Sequence, residues 1–206
     1  MITKRGNTLF TYPLAGTRRR GATKEEDDKF AHELQTSEKE KSEHNMLIDL
    51  GRNDLGVVSQ FGSVKVTKTR NLLKFSNVMH LGSTVESTAD PKASAMDIVN
   101  AVLPAGTLSG APKISAMQII SKLENRKRGV YGGCLGYLDF SGDLDLCIGI
   151  RLTYRKGNQI VVHSGAGIVA DSIAKYEYQE FNNKARSVVN AINTADQGGV
   201  AHALSN

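Results

Sequence analysis

Tryptophan is missing from the 206 residues, aromatic side chains make up only 6% of them, and cysteine occurs twice. No apolar run approaches the roughly 20 residues that a membrane-spanning helix needs, and the start "MITKRGNTLF" has no apolar signal core, so no membrane span or secretory signal is expected. There is no Walker A or GxGxxG loop, no Cys/His spacing for zinc, no internal repeat and no low-complexity tract. Basic residues (26) exceed acidic ones (21) for a formal charge of +5, yet the two signs are interspersed and no arginine-aromatic alternation marks a nucleic-acid surface. A modest positive balance suits an anionic small molecule equally well. Cys134 and Cys147 lie in apolar, strand-like runs and read as buried free thiols, which places the chain in reducing surroundings: cytoplasmic, or plastid where a transit segment precedes it.

What is present is 40% apolar residues in a length that suits one substantial core, expected as a single domain over 1–195 with a disordered tail over 196–206. "NTLFTYPLAGTRRRG" reads as a short strand and a turn punctuated by Pro13, Gly16 and Gly21, and residues 23–45 as an exposed helix. "MLIDL" (46–50) reads as a strand left by the turn "GRND". Two further strands are expected over 61–86, a helix over 92–102, and another from Pro112 to Glu124 with Pro112 at its first position. Residues 130–163 alternate like a meander, with Arg151 at the end of one strand, and a last helix runs from about Ser172 to Ile192. Helices bunched against antiparallel hairpins predict an α+β fold of layered antiparallel sheets flanked by helices.

Several stretches could carry chemistry. "PAGTLSGAPKISAM" (104–117) puts small residues ahead of a helix start, an anion site or equally a tight loop and cap. "SGAGIVADS" (164–172) offers the amides of Gly165, Ala166 and Gly167 to a carboxylate, or is a simple turn. Glu177, Glu180 and Lys184 share a helix face, where Lys184 can offset the two carboxylates, and Glu40 and Glu43 form a matching pair; if the two pairs face one another, only a hard cation such as Mg²⁺ makes their convergence tolerable. Arg151 could clamp a carboxylate or pair with an internal aspartate. His80 could move a proton or be a bonded core histidine, and Tyr131 and Thr107 are hydroxyl donors or structural. Asp49, Arg52, Asn53 and Asp54 read as a buried polar network supporting the first glutamate pair, or as an ordinary turn.

The stretches "PLAGTRRRG", "KEKSEHNMLIDLGRND", "FSNVMHL", "LPAGTLSGAPKISAMQII", "RGVYGGCLGY", "DLDLCIGIR", "HSGAGIVADS" and "YEYQEFNNKA" together resemble the chorismate-utilising enzymes, and most closely the anthranilate synthase component I branch. The resemblance implies the C-terminal portion of that family's fold. It also implies a Mg²⁺-dependent lyase that turns chorismate and ammonia, or glutamine through an amidotransferase partner subunit, into anthranilate and pyruvate. On this sequence it makes Glu43 and Glu180 metal-proximal, with Glu40 and Glu177 holding metal-bound water or the inner pair, and Mg²⁺ the cofactor. Thr107 and the amides of Gly165, Ala166 and Gly167 become contacts to chorismate. Tyr131 and Arg151 hold its enolpyruvyl carboxylate, Lys184 adds a second cation, and His80 assists the departing hydroxyl. Ala15, where aminodeoxychorismate synthases carry lysine, favours the anthranilate branch over the aminodeoxychorismate and isochorismate ones. Leu152, Lys74, Ala174, Val57 and the proline-free "RRR" depart from the family pattern without removing a ligand.

Family members are much longer, and an N-terminal half supplies the other part of their layered fold. For this chain the resemblance therefore implies exposed sheet edges or apolar surface, a partner half, or an inactive protein that keeps a structural or partner-binding role.

Overall fold

A computed structural model of the protein describes residues 1–196. All but the first residue of the expected tail lies outside the described residues. The chain divides into two compact units, Met1–Gln118 with Cys134–Ile148, and Ile119–Gly133 with the residues from Gly149 onward. The architecture is α+β, as the sequence predicts, with antiparallel sheets flanked by helices.

The first unit is built on a seven-stranded antiparallel sheet. Its strands are β1 (Ile2–Arg5), β2 (Thr8–Thr11), β3 (Leu14–Arg19), β4 (Lys65–Lys74), β5 (Val78–Thr88), β6 (Cys134–Leu138) and β7 (Leu144–Ile148). The order runs β3-β5-β2-β1-β7-β6, with β4 on the other side of β5. Strand alternation sorts the side chains: Ile2, Leu9, Val85 and Leu144 point to one face and form its core. That face is covered by α2 (Glu38–Gly56) and α3 (Ala95–Val102), through Ile48, Leu55, Ile98 and Val102. A second cluster joins Ala31 and Leu34 of α1 (Lys24–Thr36) to Met79 and Leu81 of β5.

The opposite face carries exposed Tyr12, Leu135 and Tyr137, and β6 ends the sheet as an edge strand, so the apolar surface implied by the resemblance is present. Cys147 also points there and is exposed, whereas Cys134 is half-buried; both are free, so the burial expected of the thiols is corrected.

Local signals explain the helix starts. Thr23 caps α1 by accepting from the Glu26 amide, Ser37 caps α2 through Glu40, and Ser94 and Asp97 form a reciprocal capping box on α3. Ser37 also ends α1, so the single charged helix expected over 23–45 is two. The strand expected at "MLIDL" is the middle of α2: buried His44, Ile48, Gly51 and Leu55 recur at helical spacing, and that long-range period overrides the local apolar run. The segment read as a turn around Gly16 is β3.

The remaining helices are α4 (Gly106–Ser109), α5 (Lys113–Leu123) and α6 (Ala174–Asp196). α5 begins one residue after Pro112, whose carbonyl accepts the Ala116 amide, so the proline precedes the first turn rather than opening it. In the second unit, β8 (Thr153–Lys156) and β9 (Gln159–Val162) form a hairpin. No helix among the described residues is long and apolar enough to cross a membrane.

Candidate functional site

In the first unit the decisive local feature is a bulge in β3. Ala15 pairs with Leu81 and Arg18 with Met79, so Gly16 and Thr17 both stand opposite His80. Gly16 takes φ +66, and a Cβ on it would lie 2.6 Å from Leu34 Cδ1 and 3.0 Å from Glu40 Oε2. Only glycine allows both that backbone and that approach. Glu40 is held there by Arg18, whose Nη1 donates to Oε1 at 3.2 Å. His80 Nδ1 lies 2.8 Å from the Gly16 carbonyl and 3.2 Å from Thr17 Oγ1, with the Phe75 ring edge-on at 5.8 Å. One bulge therefore touches both His80 and Glu40. Sequence reasoning singled out neither Thr17 nor Arg18.

Glu43, three residues beyond Glu40 on α2, is exposed and engaged by no described hydrogen bond or ion pair. Its neighbour His44 is fully buried, with Nε2 2.6 Å from Ser83 Oγ, which accepts the Arg70 amide at 2.8 Å. The other ring nitrogen, Nδ1, has no partner, and burial pushes the pKa of His44 down. His44 went unnoticed in the sequence, although its spacing to Ile48 was the available signal.

Thr107 is exposed on α4, which packs close to α2: a Cβ on Gly106 would lie 2.8 Å from Leu50 Cδ1. The polar cluster at "DLGRND" is not a buried network. Asp49 and Arg52 form an exposed pair on the outside of α2, and Asn53 is exposed, because these residues lie on a helix rather than at a strand exit. Asp54 alone turns inward, to Lys113 Nζ at 2.7 Å, and burial raises its pKa against the pull of that lysine.

In the second unit, Tyr131 is half-buried in a polar and aromatic cluster. The His163 ring meets it edge-on at 5.9 Å, and the Arg128 guanidinium lies 6.0 Å over its face. Its hydroxyl would be 2.9 Å from a Cβ on Gly165, so the glycine admits it. Burial raises the Tyr131 pKa, opposed by the charges of Arg128 and Arg151. Arg151 is not on a strand, as expected, but in the bend after β7 at φ +55, exposed. Between β7 and Arg151, Gly149 still bonds across to the residues ahead of β6, its amide to the Gly133 carbonyl at 2.8 Å and its carbonyl accepting the Gly132 amide at 2.9 Å, so Arg151 lies past the last cross-strand bond.

Ser164 fastens the next loop to α6, donating to the Phe181 carbonyl at 2.6 Å. That bond brings "SGAG" beside the turn of α6 that bears Glu177, Glu180 and Lys184. Among the described residues, no hydrogen bond takes up the amides of Gly165, Ala166 or Gly167, which leaves them available to an anion. Glu177 accepts from Ser172 Oγ at 2.8 Å, and Glu180 pairs with Lys184.

Within neither unit do three or more described His, Cys, Asp and Glu side chains come together as a metal site. In each unit the glutamate pair is an all-oxygen donor set of the kind a hard divalent cation takes, and Glu43 is engaged by no described partner. Glu40 and Glu180 would have to exchange Arg18 and Lys184 for an ion.

Residues 1–190 match the family model described as chorismate binding enzyme. Anthranilate synthase component 1 of Mycolicibacterium smegmatis is 49% identical over 195 residues, which are 95% of this chain and 37% of the relative. Aminodeoxychorismate synthase component 1 of Bacillus subtilis is 45% identical over 197 residues, 96% of this chain and 42% of the relative. Among solved structures, anthranilate synthase component I from Streptococcus pneumoniae superposes with a TM-score of 0.83 at 49% identity, covering 90% of this chain and 41% of that one. The chain thus spans well under half the length of these relatives.

Proposed function

The chain belongs to the chorismate-binding enzyme family, and from that premise we propose that it is an anthranilate synthase large-subunit segment, contributing to the Mg²⁺-dependent conversion of chorismate and ammonia to anthranilate, pyruvate and water. One observation carries the choice of branch: 49% identity to an anthranilate synthase component 1 across 95% of the chain. Ammonia, free or released from glutamine by an amidotransferase partner subunit, adds at C2 of chorismate. The C4 hydroxyl then departs as water, and loss of pyruvate makes the ring aromatic.

The chain's residues divide the work by charge and proton position. Tyr131 and Arg151 hold the enolpyruvyl carboxylate, the latter by the two parallel bonds that a guanidinium can donate. The free amides of Gly165, Ala166 and Gly167 and the hydroxyl of Thr107 hold the substrate's remaining polar groups, and Lys184 adds positive charge beside them. His80 gives a proton to the departing hydroxyl. Glu40, Glu43, Glu177 and Glu180 are the proposed holders of Mg²⁺, which when bound to the ring carboxylate would draw electron density from it.

A second reading, aminodeoxychorismate synthase, is favoured by the 45% identity to the Bacillus subtilis relative. The test supplies the chain with the N-terminal half of a relative and measures product from chorismate, ammonia and Mg²⁺. Fluorescent anthranilate supports the first reading; 4-amino-4-deoxychorismate, identified by mass, supports the second. No aromatic or amino product, beside an active control enzyme, removes both.

A further inference from the structure

The β3 bulge sets which nitrogen of His80 can react. In a regular antiparallel pair one residue of β3 would face His80; here two do, and both turn oxygen toward the same ring nitrogen. The Gly16 carbonyl at 2.8 Å is an acceptor with no proton to give, so a hydrogen bond there requires the proton on Nδ1. A protonated Nδ1 has no lone pair in the ring plane, so the Thr17 hydroxyl at 3.2 Å must also accept from it.

We infer that Gly16 is a positioning residue whose carbonyl, with the Thr17 hydroxyl as a second and dispensable acceptor, locks neutral His80 in its Nδ1–H tautomer and so confines proton transfer to Nε2. This rests on the reading of His80 as the residue that moves a proton to the leaving hydroxyl. The bulge excludes a shuttle in which one ring nitrogen collects a proton while the other delivers it. His80 must instead gain a proton at Nε2 and hand it on from Nε2, with the imidazolium form as the acid. The design also explains why the extra residue of the bulge is glycine. A side chain at φ +66 would be strained and would meet Leu34 and Glu40, pushing the carbonyl away from His80.

Two-bond ¹⁵N–¹H correlation spectra of the full chain, labelled at histidine, test the inference. His80→Gln identifies the His80 signals, and buried His44 serves as an internal reporter that the protein is folded. The expected result for the neutral ring is one pyrrole-type nitrogen at Nδ1 and one pyridine-type nitrogen at Nε2. Thr17→Val, which keeps the shape but removes the hydroxyl, keeps that pattern through the Gly16 carbonyl, whereas Gly16→Ala shifts it toward the averaged signals of free histidine. An Nε2–H pattern, or averaged signals for His80 beside a dispersed His44, overturns the inference. Because the spectrum reads the tautomer without turnover, a failure here is separate from a failure of the chorismate assay.

Discussion

Replacing Lys113 by methionine keeps the aliphatic stem and deletes the charge that faces Asp54. The two side chains are 2.7 Å apart and each only 18% exposed. Breaking a fully buried pair by removing one partner costs about 3–5 kcal/mol, and an exposed pair is worth about 0–1 kcal/mol. A pair at this depth lies between, so a loss of about 2 kcal/mol is expected at neutral pH. Burial already raises the Asp54 pKa, and without the lysine it rises further. A carboxyl with a raised pKa in the folded state binds its proton more tightly folded than unfolded, so its contribution to stability falls as pH climbs through the folded value. The penalty in Lys113→Met should therefore be smallest near the ordinary aspartate value of 3.8 and grow to a plateau as Asp54 ionises without its partner. Urea unfolding followed by helical circular dichroism, from about pH 4 to about pH 8, measures it. The double variant Asp54→Asn, Lys113→Met should recover much of the loss, because no lone charge is left buried. A penalty below about 0.5 kcal/mol at neutral pH, or one that does not change with pH, would refute the reasoning.

Gly149→Ala would set a Cβ 2.4 Å from the Val130 carbonyl, a backbone atom that cannot swing aside, and should cost about 2 kcal/mol or more in a thermal melt while displacing the segment that carries Tyr131. Ser164→Ala removes the 2.6 Å bond to Phe181; a stability loss of about 1 kcal/mol and faster hydrogen exchange at the amides of residues 165–167 are expected, and unchanged exchange would show that the loop is held otherwise. His44 is kept neutral by burial, so its contribution is complete above its ordinary value of 6.5 and is lost as pH falls toward the lowered folded value. His44→Leu should flatten the fall in stability between about pH 7 and about pH 5, read from denaturation midpoints; an unchanged slope would assign that acid sensitivity elsewhere.

The two hairpins within residues 130–163 were legible in the sequence because Leu144, Leu146 and Ile148 alternate and the turns at Ser141-Gly142 and Gly157 are marked by glycine. The single meander expected there is corrected: β6 and β7 belong to the seven-stranded sheet, and β8 and β9 pair only with each other. α6 was legible as the last helix from about Ser172 to Ile192, and it runs over Ala174–Asp196. The middle of α2 was not, since five residues rich in apolar character outweigh a period that only appears over the whole span from His44 to Leu55. β3 was hidden for a related reason. Its glycine announces a break, and the break is a bulge inside a strand rather than a turn after one. The residue types of the candidate site could be named in advance, but their partners could not. Arg18 on Glu40, Lys184 on Glu180, Ser172 on Glu177 and Thr17 on His80 depend on register and helix phase, which no local window contains.

The bare face of the seven-stranded sheet, with Tyr12, Leu135 and Tyr137 beside the open rim of β6, bears on how the molecule keeps in solution. Loss of material there depends on encounters between molecules, so precipitation should accelerate faster than in proportion to concentration. Dilute storage, or a cosolute that coats greasy strand rims, would prolong its shelf life more than cooling alone, because chilling weakens the attraction only modestly.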